Sequence, residues 1–362
     1  MRPRYHATPM ERPIIVKFLS GGAPAWRERW LRQFPGGIPR WGNCQFVLDE
    51  NARTYDWLAV FDDLPRDSAS RFSRRVESLA CPRGRTILVT TEPSSIKTYG
   101  NDYLAQFGIL ATYLEPWSFR HPNAIPSHGG EHWHYGLRLP HPFTYDELKA
   151  RMPPAKAKAI SVICSSKQER HTLHFSRYAF VQRLLAAMPE IDSFGRGVRP
   201  VQDKSEAIDP YRYHIAIENQ ICPHYWSEKL ADTFLAFSLP IYAGCPNVGD
   251  YFPPESYIPI DIHDFDAALA TIRETLAADP YQKRLPAILE ARRLVLDEYN
   301  LFALLSRIVR DRDPGPGEGP YGKLYSRHAL RRHRPLTVLN YLVEKMRMRA
   351  RHARTRISNK ES

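Results

Sequence analysis

The stretch YRYHIAIENQICPHYWSEKL, residues 211–230, decides the fold because it combines a strand, a loop and the start of a helix. Large apolar and aromatic residues alternate with other residues over its first seven positions, which predicts a strand. After a short loop, Ser227 is a typical helix N-cap, and apolar side chains then recur at helical spacing. The polar residues gathered at this strand-loop-helix junction are Glu218, Asn219, Glu228 and Lys229.

The junction has the character of an anion-binding site. Free backbone N–H groups at a helix N-terminus favour negative charge, whereas cations prefer the opposite end of a helix. Lys229 in the first turn is therefore unfavourable for the helix dipole alone. An anionic ligand lying between Lys229 and the N–H groups, such as a diphosphate, would resolve this conflict.

Strands alternate with helices in two successive units, one opening with residues 14–19 and the other with residues 159–164. In the first unit, residues 55–61 and 85–91 are predicted strands and residues 66–80 are a predicted helix. This alternation predicts an α/β fold with two doubly wound, Rossmann-like domains that face each other across a cleft.

Changes in composition predict the limits of these domains. The predicted parts are residues 1–145, an N-terminal α/β domain; 146–158, a linker; 159–312, a C-terminal α/β domain closed by helices at 283–299 and 301–310; and 313–362, a Pro/Gly hinge and a basic helical tail. Ligands in doubly wound folds bind at the carboxyl ends of the strands. Glu92 and the pair Glu218–Asn219 follow predicted strands of different domains, so they could face the same cleft.

The composition is that of a globular protein. Hydrophobic residues make up 43% of the 362 residues, and no apolar run reaches the length of a membrane-spanning helix. We expect no signal peptide, because the basic N-terminus lacks an apolar segment. The five cysteines are odd in number and far apart. They favour reduced thiols in a cytoplasmic protein over disulfides or a zinc site.

The net charge of +12 is concentrated in the tail. Residues 321–362 contain twelve Lys or Arg and two Glu, a net of +10, so the remaining 320 residues carry only +2. The apolar residues at helical spacing in this tail are Leu336, Leu339, Leu342, Val343 and Met346. A basic amphipathic helix predicts contact with an anionic membrane surface, at the inner face of the cytoplasmic membrane. The alternative is a closing helix that packs on the domains; nucleic-acid binding is not expected.

Four motifs in the second unit carry a resemblance. They are YRYHIAIEN (211–219), YWSEKL (225–230), LPIYAG (239–244) and YFPPESYI (251–258). In this order they resemble the α-1,3/1,4-fucosyltransferases of glycosyltransferase family 10, in particular a bacterial-type member. The resemblance covers residues 160–277 and continues more weakly to the helix with Arg177 and the strand end with Glu92.

The resemblance implies a GT-B-like, inverting glycosyltransferase that moves fucose from GDP-fucose to a glycan hydroxyl. Such an enzyme would act in the synthesis of surface polysaccharide or lipopolysaccharide. Glu92 would be the catalytic base, and Arg177 and Lys229 would bind the donor diphosphate. The residues that would line the nucleotide and sugar pocket are Glu218, Asn219, Tyr225 and Glu228. Trp226 and Ser227 depart from the family pattern, and the N-terminal domain is poorly matched, so the acceptor and the linkage stay open.

Inversion needs one base and a stabilised leaving group. Glu92 would take the proton of the acceptor hydroxyl as that oxygen attacks the anomeric carbon. Lys229, Arg177 and the helix N-terminus could stabilise the departing GDP, so we expect no required metal or other cofactor. The residues that compete with Glu92 as the base are Asp62, Glu115 and Glu131.

Metal binding is conceivable at the five histidines between His121 and His141, although a polar loop near the cleft is the favoured interpretation. Asp264 and Asp266 imitate a metal-binding pair, but their position predicts the start of a helix. Two further functions stay open: the same fold with a different nucleotide sugar, and a non-catalytic module that binds glycans or membranes.

Overall fold

The computed structural model describes residues 12–21, 27–66, 70–130, 133–164, 174–312 and 321–361. The strands up to residue 130 are β1 (Ile14–Ser20), β2 (Arg40–Trp41), β3 (Cys44–Val47), β4 (Trp57–Phe61), β5 (Val76–Ser78), β6 (Thr86–Val89), β7 (Ile109–Thr112) and β8 (Ala124–Pro126). The helices in this part and just after it are α1 (Arg27–Leu31), α2 (Asn101–Leu104) and α3 (Tyr145–Ala150).

The N-terminal domain is built on a seven-stranded sheet in the order β2-β3-β1-β4-β6-β7-β8. The neighbours pair in parallel, except that β2 and β3 are antiparallel. Because later strands add on both sides of β1, the sheet is doubly wound. All five side chains of β4 are buried, as expected for a central parallel strand covered on both faces.

The C-terminal domain is built on a second, parallel sheet. The strands and helices between residues 158 and 311 are β9 (Lys158–Ile163), α4 (His174–Ala187), β10 (Asp192–Phe194), α5 (Ser205–Ile208), β11 (Tyr211–Ile217), α6 (Glu228–Leu235), β12 (Leu239–Ala243), β13 (Ile258–Pro259), α7 (Phe265–Ala278), α8 (Tyr281–Asp297) and α9 (Leu301–Asp311). The five strands lie in the order β10-β9-β11-β12-β13, again doubly wound. The predicted α/β class and the two doubly wound domains are confirmed.

The tail contains β14 (Lys323–Tyr325), α10 (Arg327–His333) and α11 (Leu336–Glu361). It packs on the N-terminal domain. Strand β14 pairs with β5, and the buried side chains of Leu324 and Leu330 join the core formed around Leu58 and Tyr103. The predicted basic helical tail is therefore present, and part of it belongs to the N-terminal core.

The predicted helix at residues 66–80 is wrong. Of this range, residues 76–78 form β5, and the described residues 70–75 are irregular. Glu77 in β5 forms an ion pair with Lys17, with 2.6 Å between the charged atoms, and both side chains are fully buried. This pair and the pairing with β14 hold the segment extended, so tertiary contacts override the local pattern.

Two elements cross the predicted domain limits. Helix α9 was predicted to close the second domain, but it packs on the first sheet, with the Phe302 ring centroid 3.9 Å from that of Phe34. The predicted linker contains α3, which a Thr144–Glu147 capping box starts. Leu148 of α3 is buried in the second core. Most of the predicted Pro/Gly hinge lies outside the described residues, because residues 313–320 are not among them.

Candidate functional site

A cavity of about 730 Å³ lies between the two domains, at the carboxyl ends of both sheets. Its lining residues from the N-terminal domain are Ser20, Gly21, Arg29, Phe61, Asp62, Arg66, Thr91 and Glu92. Those from the rest of the chain are His134, Leu137, Arg138, Val201, Gln202, Asp203, Lys204, Asn219, Tyr225, Glu228 and Lys229. The structure thus brings Glu92 together with Asn219, Tyr225, Glu228 and Lys229, as the strand-end argument predicted.

Glu92 is the central acidic group of the N-terminal wall. It follows β6, and its side chain is partly buried. Burial raises the pKa of its carboxyl, the nearby Lys97 ammonium opposes this rise, and the Asp62 carboxylate adds to it. No side chain among the described residues donates a hydrogen bond to this carboxylate. Glu92 is therefore open toward the cavity and has the raised pKa of a proton acceptor.

Asp62 lies beside Glu92, at the end of the neighbouring strand β4. Its Oδ1 accepts hydrogen bonds from the Tyr99 hydroxyl at 2.8 Å and the Thr91 hydroxyl at 2.9 Å, and from the Lys97 ammonium. Burial alone would raise the pKa of Asp62, but the Lys97 and Arg327 cations outweigh it and hold this pKa below its usual value. Asp62 is thus a fixed negative charge.

Glu218 organises the opposite wall. It directly follows β11 and is fully buried. It accepts hydrogen bonds from the backbone N–H of Ser227 at 2.8 Å and from the Ser227 hydroxyl at 2.6 Å. The same hydroxyl oxygen caps α6 by accepting a hydrogen bond from the N–H of Lys229. The predicted strand, loop and capped helix are confirmed, but Glu218 is not one of the residues that line the cavity and instead supports the loop from behind.

Lys229 presents a cation at the cavity wall. Its Nζ lies 3.1 Å from Glu228 Oε1 and 3.6 Å from Glu218 Oε2. Burial raises the pKa of Glu218. Burial would do the same to Glu228, but the cations of Lys229 and Lys204 outweigh it and hold the pKa of Glu228 well below its usual value. Lys229 is therefore fixed by two carboxylates, and it is preorganised to meet an anion.

Arg177 lies behind the cavity wall and is not one of the residues that line the cavity. Its Nη1 donates a hydrogen bond of 2.8 Å to Asn219 Oδ1, and its Nε finds no acceptor among the described residues. Asn219 does line the cavity. In this conformation Arg177 orients Asn219, and its direct contact with a diphosphate stays a prediction.

Tyr225 joins the two domains at the edge of the cavity. Its ring lies 4.8 Å, between centroids, from Tyr113 of the N-terminal domain. Cys222 packs in the same small buried cluster. Tyr225 thus has a structural contact as well as a place on the cavity wall.

Of the competing bases, Asp62 lines the cavity and Glu115 does not. Glu115 instead accepts a hydrogen bond of 2.5 Å from Gln220 Nε2 at the contact between the domains. Glu131 lies outside the described residues. Glu92 therefore keeps its place as the candidate base, with Asp62 as its neighbour.

The histidine segment reaches the cavity through His134. His128 is buried and stacks on Trp226 with ring centroids 4.7 Å apart, whereas His132 lies outside the described residues. In the described ranges, no three His, Cys, Asp or Glu side chains are grouped as a metal site would require. Asp264 caps α7, as predicted, by accepting a hydrogen bond from Ala267 N.

Four basic residues that line the cavity are not predicted from the sequence. The missed lining residues are Arg29, Arg66, Arg138 and Lys204. The Nζ of Lys204 lies 2.7 Å from Asp232 Oδ2 and 3.6 Å from Glu228 Oε1. Outside the short helix α1, which carries Arg29, these residues lie in irregular segments, so no periodic pattern marks them.

The residues that match a known protein family include those that form the cavity wall with Lys229. Residues 153–283 match the family described as "Glycosyltransferase family 10 (fucosyltransferase) C-term". Residues 153–283 are therefore similar to glycosyltransferase family 10, and this match covers less than half of the chain. The matched residues include Arg177 and the junction at residues 218–229, while Glu92 lies outside them.

Curated relatives are fucosyltransferases. The alpha-(1,3)-fucosyltransferase FucT of Helicobacter pylori is 32% identical over 74 residues, which are 20% of this chain and 16% of the relative. The 3-galactosyl-N-acetylglucosaminide 4-alpha-L-fucosyltransferase FUT3 of Pan troglodytes is 27% identical over 133 residues, or 35% of either chain. The matches thus span about a third or less of the length of these relatives.

A solved structure of an alpha1,3-fucosyltransferase with GDP-fucose is also similar. It has a TM-score of 0.47 and 14% sequence identity, and the alignment covers 88% of this chain and 96% of that one.

Proposed function

We propose that the protein is an inverting glycosyltransferase that transfers fucose from GDP-fucose to a glycan hydroxyl. The observation that carries this proposal is the position of Glu92 in one wall of the cavity and of Lys229, at the start of α6, in the other. A base and a leaving-group cation on opposite walls suit an in-line displacement with inversion.

The reaction follows from these positions. Glu92 accepts the proton of the acceptor hydroxyl while that oxygen forms a bond to the anomeric carbon of fucose. The bond from this carbon to the diphosphate oxygen breaks, and GDP leaves with the electron pair. Lys229 and the N–H groups of α6 meet the negative charge that develops on the diphosphate.

We further propose that protein cations suffice for this step, so that no divalent metal is required. Incubation with EDTA would then leave transfer at half of its untreated rate or more, a margin of about 0.4 kcal/mol. Loss of transfer that returns on adding Mg²⁺ or Mn²⁺ would contradict this part of the proposal.

Donor choice tests the function directly. GDP binding should be at least about 10-fold tighter than UDP binding in calorimetry, and GDP-fucose should release GDP when an acceptor is added. Acceptors to screen include 3- and 4-galactosyl-N-acetylglucosaminides, because the names of curated relatives contain them. Release with another GDP-sugar alone would indicate a different donor, and glycan binding without any release would indicate a non-catalytic module.

Glu92→Gln tests the base. The variant should bind GDP-fucose with unchanged affinity and lose about 100-fold or more of transfer. A matched control is Glu115→Gln, which changes a carboxylate outside the cavity. Full transfer by the Glu92 variant would assign the base to another residue.

We also propose that α11 holds the enzyme on an anionic membrane, where lipid-linked surface glycans would be its acceptors. The exposed apolar side chains of its outer face are Leu336, Leu339, Leu342, Val343 and Met346. Basic residues flank them, and the tail carries a net charge of +10, which complements anionic lipid headgroups. Among the described residues, no helix is long and apolar enough to cross a membrane.

Vesicle flotation tests this placement. The protein should float with vesicles that contain phosphatidylglycerol and much less with phosphatidylcholine alone. Leu339→Glu together with Met346→Glu should abolish flotation, while Leu289→Glu, at an exposed site on α8, should not. Equal flotation of the double variant and of Leu289→Glu would contradict docking through α11. If the same face instead formed a dimer, the protein would show a doubled mass in solution.

A further inference from the structure

We propose that Asp62 binds a second hydroxyl of the acceptor sugar, next to the hydroxyl that Glu92 deprotonates. This inference rests on the proposed function and adds the acceptor side of the site. It assigns the acceptor to sugars that carry a free hydroxyl beside the attacking one.

The two oxygens of the Asp62 carboxylate have different surroundings. Oδ1 accepts all three protein hydrogen bonds, from Tyr99, Thr91 and Lys97. Oδ2 receives no hydrogen bond from any residue in the described part of the chain. A carboxylate oxygen at a cavity wall with its lone pairs unused is an acceptor for a ligand donor.

Gly21 lies near the Oδ2 atom of Asp62. A methyl group added at Gly21 would stand 3.6 Å from Oδ2, which is an ordinary contact distance. Both Gly21 and Asp62 line the cavity. The absent side chain at Gly21 therefore leaves room for a ligand atom beside Oδ2.

The backbone of Asp62 holds this orientation at a cost. Its φ of 74° lies in the left-handed region, which costs a residue other than glycine about 1 kcal/mol or more. Its N–H is fixed by the carbonyl of Val89 at 2.9 Å. The three donors to Oδ1 and this bond hold Asp62 in place, so the second oxygen points to one position.

The surroundings of Asp62 and Glu92 suit the two carboxylates to different roles. Asp62, with a pKa held below its usual value by Lys97 and Arg327, stays charged and is a poor proton acceptor. Glu92, with a pKa raised mainly by burial, is the better base. Such a pair, with pKa values pushed apart by their surroundings, can bind one hydroxyl and deprotonate another.

A sugar hydroxyl fits Oδ2 better than a charged group does. A carboxylate or phosphate on the acceptor would be repelled by Asp62, whereas a hydroxyl donates a short hydrogen bond to it. Asp62 and Glu92 follow the neighbouring strands β4 and β6, and both line the cavity, which suits two neighbouring hydroxyls of one ring.

Asp62→Asn tests the inference on GDP-fucose and a 3-galactosyl-N-acetylglucosaminide, or on the first active acceptor of the screen. The KM for the acceptor should rise about 10- to 100-fold, since a hydrogen bond to a charged group is lost. The Kd for GDP-fucose should change less than about twofold. A purely structural role would change the Kd for GDP-fucose as well as the KM for the acceptor.

Acceptors that lack single hydroxyl groups give the decisive comparison. Removing the hydroxyl beside the attacking one should cost the wild type about 10- to 100-fold in kcat/KM and the Asp62→Asn enzyme less than about threefold. Equal losses for every deoxy acceptor in both enzymes would overturn the inference. Absence of transfer by the wild type would instead overturn the proposed function.

Gly21→Ala is a second variant that leaves the hydrogen bonds to Oδ1 untouched. Its methyl group fits without a clash but occupies the space beside Oδ2. The KM for the acceptor should rise about fivefold or more, with an unchanged Kd for GDP-fucose. An unchanged acceptor KM in this variant would also contradict the inference, even if Asp62→Asn failed to fold.

Discussion

The hydroxyl of Ser94 lies 2.8 Å from Nε2 of His352, and this contact joins the C-terminal helix to the loop that follows Glu92. Helix α11 makes two further contacts nearby. The carboxylate of Glu344 accepts hydrogen bonds from the N–H and the side chain of Asn101, and Asn340 donates to Asp102 at 2.9 Å. The tail is therefore part of the support of the candidate active site.

A chain that ends at Pro335 should be less stable and less active. Loss of these contacts should lower the free energy of unfolding by about 2–4 kcal/mol, at about 1 kcal/mol for each hydrogen bond. The kcat should fall because the loop after Glu92 loses its support, while the Kd for GDP should not change. Urea unfolding and calorimetry measure these quantities. A control chain that ends at Ala353 keeps the contacts, and equal losses in both chains would contradict the prediction.

Asn219→Asp should separate donor binding from stability. The new carboxylate pairs with Arg177, whose Nη1 now bonds to Asn219 Oδ1 at 2.8 Å, so the fold should be kept or strengthened. In the cavity, however, its charge repels the donor diphosphate and should weaken GDP binding about 10-fold or more. Thermal unfolding and GDP titration provide the two measurements.

Gln182→Glu is a matched control for this substitution, because it adds the same charge on the exposed side of α4. Its affinity for GDP should equal that of the wild type. Unchanged GDP affinity in Asn219→Asp would place the diphosphate away from Asn219.

The sequence predicted the structure of the wall that contains Lys229 well because that wall is local. Glu218, Ser227 and Lys229 lie within twelve residues of each other, and one strand, one loop and one helix cap fix their geometry. Glu92 could be added because carboxyl ends of parallel strands share one edge of a sheet. Both inferences need only short-range patterns and a general rule of the fold.

Long-range partners could not be predicted in this way. Strand β5 was mistaken for a helix because its partner β14 lies about 250 residues later in the chain. Helix α9 follows the second domain in sequence but packs on the first sheet. Its amphipathic pattern predicts that one face is buried, but it does not indicate against which domain. Lys204 was missed because a loop residue gives no periodic signal, although it lies between Glu228 and Asp232.

Two buried histidines should make the protein unstable at mildly acidic pH. Burial lowers the pKa of both His128 and His214 to about 3. In the unfolded chain they titrate near ~6.5, so between these pH values the unfolded state binds more protons and lowering the pH favours unfolding. The free energy of unfolding should fall by up to about 2.7 kcal/mol per pH unit below pH ~6.

Urea unfolding between pH 4 and pH 7 measures this slope, and His128→Phe should reduce it by about half. The new ring can keep the stacking on Trp226 while it removes one titrating group. His263→Gln, at an exposed position, should leave the slope unchanged. If the slope were the same in His128→Phe as in the wild type, other titrating groups would dominate the acid unfolding.

The charges of Asp62 and Lys97 should shift the acid limb, the low-pH part of the profile of kcat/KM against pH, in opposite directions. Both charges act on the pKa of Glu92. Transfer requires Glu92 without its proton, so kcat/KM should rise with pH through a pKa above the usual glutamate value. Asp62 raises this pKa and Lys97 lowers it. Asp62→Asn should therefore shift the acid limb to lower pH, and Lys97→Met should shift it to higher pH.

The measurement is kcat/KM for the acceptor from pH 4.5 to pH 8, at saturating donor, with each variant compared with the wild type. Both variants disturb the same ion pair, so a general loss of structure would move the two profiles together, and only the Glu92 charge balance moves them apart. Residual transfer by Glu92→Gln should lack this limb. A limb that persists in that variant would belong to another group, and Glu92 would then not be the base.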